Sequence, residues 1–90
     1  MKFTFTMRTA DYEQELAVQK DKRLGATQGE LDRHTVTMVL GNVCTMPATI
    51  TVGEDKDELV VATITTECSQ YLEVADRYCE ARGFDAPVQL

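Results

Sequence analysis

Residues 49–64, TITVGEDKDELVVATI, set two alternating runs on either side of an acidic turn. Ile50 and Val52 before the turn, and Val60, Ala62 and Ile64 after it, share one side of an extended chain. Thr49, Thr51 and Thr63 take the other. Period-two alternation around a polar break reads as a β-hairpin. Pairing Val52 with Val60 and Ile50 with Ala62 puts Glu54 opposite Glu58 around a tight Asp55-Lys56-Asp57 tip. Like charges facing across a ladder are destabilising by a few tenths of a kcal/mol or more, which asks whether a ligand sits there. An EF-hand requires a glycine at its sixth position and a glutamate at its twelfth. Here Gly53 precedes the acids and Leu59 ends them, so no metal is expected.

Working outward, residues 2–8 alternate Phe3, Phe5 and Met7 with Lys2, Thr4, Thr6 and Arg8, and residues 34–40 and 45–52 alternate in the same way. Pro47 suits a strand start or bulge. Pairing Met38 with Met46 through a bulged connection keeps both faces of such a sheet consistent. Residues 67–83 give the best helical pattern, with Cys68, Tyr71, Leu72, Ala75, Tyr78 and Cys79 at spacings of three and four and Gly83 as the stop. Residues 9–25 are rich in helix formers but poorly periodic; residues 25–33 read as a loop and the tail DAPVQL as irregular. The expected fold is α+β: one domain over 1–90 with a four-stranded, mainly antiparallel sheet in the order β-α-β-β-β-α. Helices cover one face and threonines line the other. The TxT pairs at Thr4/Thr6, Thr35/Thr37, Thr49/Thr51 and Thr63/Thr65 resemble the ranks of ice-binding β-solenoids, but an antiparallel sheet of this kind twists where a solenoid is flat. Threonine is also the polar residue best suited to an exposed strand.

Composition narrows the function. Ninety residues bury only about 60–65% of the surface the unfolded chain exposes, too little for an internal catalytic cavity. No apolar run approaches the roughly 20 residues of a membrane span, and MKFTFTMR lacks a signal-peptide core. His34 is the only histidine and Ser69 the only serine, and no nucleophile elbow, P-loop, GxGxxG or HExxH occurs. A Cys44–His34 thiol pair has no activating motif. A non-enzymatic protein without cofactor is expected. Cys68 and Cys79 lie about 16 Å apart along one helix, too far to bridge, so all three cysteines read as reduced and the compartment as cytoplasmic.

The charge is lopsided. Residues 1–40 hold six acids and six bases, whereas residues 41–90 hold nine acids and three bases and carry the whole net charge of −6. Direct nucleic-acid binding is disfavoured, because phosphate contacts need Lys and Arg. On the last helix Glu73, Asp76 and Glu80 fall on one flank, with Glu73 and Arg77 spaced for an i,i+4 pair. With Glu54, Asp55, Asp57 and Glu58 at the hairpin tip they form the candidate partner-binding surface. A compact acidic domain of this size without a catalytic motif resembles the small phage-encoded anti-CRISPR proteins, a likeness of size, charge and architecture. It implies an inhibitor that occupies a basic, nucleic-acid-binding groove of a larger protein or ribonucleoprotein complex in the host cytoplasm. The alternatives are a module, monomeric or homodimeric, that docks through the threonine face or a strand edge, and a small thiol or hydrolytic enzyme.

Overall fold

The alternation of Phe3, Phe5 and Met7 builds the first strand, β1 (Lys2–Arg8), with all three side chains buried. The computed structural model describes residues 1–41, 47–54 (backbone only at 54) and 58–90. After β1 come α1 (Thr9–Lys22), α2 (Gln28–Val39), β2 (Ala48–Glu54), β3 (Leu59–Thr66), α3 (Gln70–Arg82) and β4 (Val88–Gln89). The strands form one antiparallel sheet in the order β2-β3-β1-β4, an α+β fold. The expected element order is corrected in two places.

Residues 34–40, expected as a strand, lie almost wholly within α2, and residues 25–33, expected as a loop, contain its start. Their β-branched alternation is overridden by a helix signal one turn upstream. Thr27 Oγ1 accepts from the Glu30 N–H at 3.2 Å, a side-chain N-cap, and donates to the Glu30 carboxylate at 3.2 Å. From that start Leu31, Asp32, Thr35, Val36 and Leu40 are buried at spacings of three to five, a helical stripe. Met38 is therefore an exposed helix residue, 40% accessible, and not a strand partner of Met46, which lies outside the described residues. The fourth strand comes instead from the tail expected to be irregular: Val88 pairs with Thr4 and Gln89 with Phe3.

The hairpin forms, with its register shifted by two. Ile50 faces Ile64, Val52 faces Ala62 and Glu54 faces Val60. An even shift keeps every side chain on its face, so the inward set survives, and Glu54 no longer pairs with Glu58. Phe3, Phe5, Met7, Ile50, Val60, Ala62 and Ile64 pack against Val36 of α2, Leu40 just past its end, and Tyr71, Val74, Ala75, Tyr78 and Cys79 of α3. Helices thus cover one face. On the other, Thr51, Thr63 and Thr4 stand in a rank across three strands. Thr35 and Thr37 do not belong to that face, because they sit on α2.

α3 matches its sequence pattern, ending at Gly83 in a left-handed conformation (φ 73°) that a side chain would strain. The Phe84 N–H reaches the Cys79 carbonyl at 2.9 Å and the Gly83 N–H reaches Glu80, the paired bonds of a Schellman cap. α1, which lacks apolar periodicity, is tied to α2 by a side-chain bond and braced internally by others. Tyr12 donates to Asp32 at 2.8 Å, Gln28 donates to the same oxygen, and buried Gln19 bridges Glu15 and Arg23.

Candidate functional site

Glu73, Asp76 and Glu80 are exposed on α3, on the side away from its buried stripe of Tyr71, Val74, Ala75, Tyr78 and Cys79. At 1.5 Å per residue the three span about 10 Å along the helix axis. Phe84, four residues past Glu80, lines a cleft of 470 Å³ together with Glu58, Leu59 and Arg8. The C-terminal end of α3 and the hairpin end therefore lie at one end of the molecule, with Glu58 exposed there at φ 63°. Asp55 and Asp57, and the side chain of Glu54, lie outside the described residues.

The expected Glu73–Arg77 pair does not form: ion pairs among the described residues join only Arg8 and Arg82 to Asp11. Arg77 instead lines a groove with Val39, Leu40 and Gly41 on the α2 side. That leaves the three α3 carboxylates without a cationic partner among the described residues.

The densest polar cluster was not legible locally. Asp11 Oδ2 accepts from Tyr78 Oη at 2.6 Å, from Arg8 Nε at 3.0 Å and from Arg82 Nε at 3.0 Å, and Asp11 Oδ1 accepts from Arg8 Nη2 at 3.0 Å. Arg82 stacks 3.9 Å over the Tyr78 ring, whose edge meets Phe5. Burial pulls the Asp11 carboxyl upward, but the hydrogen bonds from Arg8 and Tyr78 and the nearby guanidinium charges outweigh it and hold it below its ordinary value. Burial and the Asp11 hydrogen bond push the Tyr78 phenol up to about 12. A neutral phenol on an ionised carboxylate is a stable, fully bonded arrangement. Arg8 and Asp11 stand three residues apart, but Asp11 is separated from Tyr78 and Arg82 by 67 and 71 positions, so no spacing rule could have joined the two halves.

The thiol pair expected as the third alternative is Cys44 with His34, and Cys44 lies outside the described residues. Burial, with Asp76 adding to it, raises the Cys79 thiol and keeps it protonated. Cys68 is disulfide-bonded, which corrects the expectation of three reduced cysteines, while Cys79 is free and buried. The spacing argument excluded only a Cys68–Cys79 bridge, and that exclusion holds. Disulfides persist in oxidising surroundings, so the cytoplasmic placement argued from reduced cysteines loses that support. His34 sits on α2, where burial and the charges of Arg23 and Arg33 lower its pKa. Among the described residues no group of His, Cys, Asp and Glu could hold a metal, and no helix is long and apolar enough to cross a membrane.

Comparison with family models, with curated proteins and with solved structures returns no match.

Proposed function

We propose that the chain is a non-enzymatic binding protein that docks its acidic α3 surface on a basic, nucleic-acid-binding face of a larger complex, as small anti-CRISPR proteins do. The observation that carries it is the separation of charges: Glu73, Asp76 and Glu80 are exposed and unneutralised, while Arg8 and Arg82 are committed to Asp11. Their axial steps of about 4.5 and 6 Å are of the same scale as phosphates, one per 3.4 Å of axis on each strand. Such a face imitates a short run of backbone charge to a groove lined with Lys and Arg.

Replacing Glu73, Asp76 and Glu80 together by Lys tests this in pull-downs from prokaryotic lysates. The native protein captures a partner whose binding falls steeply with salt and is displaced by DNA or RNA; the triple variant captures none. Unchanged capture by the variant overturns the reading. Running both with and without reductant shows whether the Cys68 disulfide matters to the complex. The second reading, docking through the open sheet face, is favoured by the Thr51–Thr63–Thr4 rank. Three strands of seven or eight residues and one of two cover only roughly 380 Å², however, about half of what one partner contributes to a stable interface.

A further inference from the structure

The ladder determines which backbone groups β2 leaves outward. Met1 and Thr66 exchange main-chain bonds at 2.9 and 3.0 Å. Antiparallel alternation then directs the groups of Val60, Ala62 and Ile64 toward β1 and those of Val61, Thr63 and Thr65 toward Gly53, Thr51 and Thr49. Ala48, Ile50 and Val52 are left with N–H and C=O groups pointing away from β3. β2 ends the sheet, and no hydrogen bond among the described residues reaches those groups. The strand runs seven residues, ATITVGE, with no Lys, Arg or Pro inside it; its one charge is Glu54 at the end, and Pro47 stands just before it.

We propose that this edge takes an extended segment of the partner as a fifth strand, and that the segment is uncharged and β-branched in the middle with a basic residue at each end. Charge selects this occupant. Exposed Glu67 lies beside Pro47 and Ala48 at one end of β2, and exposed Glu58 lies beside Val52 and Gly53 at the other. The two carboxylates flank β3, nine residues apart, which in an extended chain is roughly 30 Å. A second copy is a poorer occupant, because each chain brings a net charge of −6. The basic character of the segment rests on the proposed function, whereas the open edge does not.

The test uses two nine-residue capped peptides of alternating valine and threonine, one with lysine at both ends and one with glutamate. NMR follows amide exchange in the native protein. The lysine peptide slows exchange at Ala48, Ile50 and Val52 by about tenfold or more, and the glutamate peptide leaves it unchanged. Val52→Pro removes an outward N–H and no ladder bond, and it abolishes protection at Ala48 and Ile50. Glu58→Lys with Glu67→Lys removes the preference for lysine. No slowing by the lysine peptide overturns the proposal, as does equal slowing by both peptides. Protection that grows with protein concentration alone overturns it in favour of a second copy. The peptide arms decide the matter on the native protein even where the proline variant does not fold. Failure here, with the α3 triple variant still losing its partner, removes the edge and leaves the proposed function standing; success here with unchanged capture by that variant does the reverse.

Discussion

Tyr78 donates its hydroxyl proton to Asp11 across 2.6 Å and accepts the Arg8 N–H at 3.1 Å, so one phenol ties α3 to the junction of β1 and α1. Asp11 is 19% exposed and bonded by three donors, which makes the junction a partly buried clasp with its Arg8 side open to solvent.

Removing its charge has a calculable consequence. Asp11→Asn lowers stability at neutral pH by about 1.5–3 kcal/mol, the range for hydrogen bonds to charged groups. Because the folded carboxyl titrates below its ordinary value, its contribution is present above the unfolded pKa and is lost as pH falls through the folded one. Urea denaturation across pH 2–7 therefore finds the acid-side slope flatter in Asp11→Asn than in the native protein.

The cap of α2 predicts a second effect. Thr27→Ala removes both Thr27–Glu30 hydrogen bonds and costs about 1 kcal/mol. Thr27→Ser retains them, so thermal melts of the two variants separate the cap from the methyl group.

Neighbouring residues on opposite faces test the corrected register. Ile64→Ala empties a fully buried site facing Ile50 and Phe3 and costs about 2–5 kcal/mol. Thr63→Ala, on the open face, stays within about 0.5 kcal/mol. Equal losses in chemical denaturation contradict the two-faced sheet.

Thiol chemistry separates the two described cysteines. Cys79, buried and protonated, reacts with an alkylating reagent only once the protein unfolds. Cys68 remains unlabelled even in denaturant until a reductant is added. Peptide mass mapping of each step reads both outcomes.

The parts of this fold that were legible share a strong local period. Ile50/Val52 and Val60/Ala62/Ile64 alternate and form the hairpin; Tyr71, Ala75, Tyr78 and Cys79 recur at helical spacing and form α3. Thr35, Val36, Thr37 and Val39 misled because β-branched residues favour strands, while the Thr27–Glu30 cap that decides for a helix lies outside the alternating run. The hairpin register slipped by an even number because only the face, not the turn length, is written in the alternation. The Asp11 clasp was beyond local rules in its larger part: Arg8 is a neighbour at i,i+3, but Tyr78 and Arg82 reach Asp11 only after the whole chain has folded. Of the candidate acids, Glu73, Asp76, Glu80 and Glu58 are exposed as the helical and turn patterns suggested.

The two borders of the sheet are not equivalent. Along β1, Val88 and Gln89 pair with its first half, Tyr78 meets the Arg8 N–H and the Cys79 thiol meets the Thr6 carbonyl at 3.7 Å. Along β2 nothing comparable stands among the described residues. Growth by strand addition needs two receptive borders, one to join and one to be joined. At the far border stands β4, only two residues long, against the seven of β2. Such a lopsided sheet is better suited to completing a pair or ending an array than to propagating a fibre.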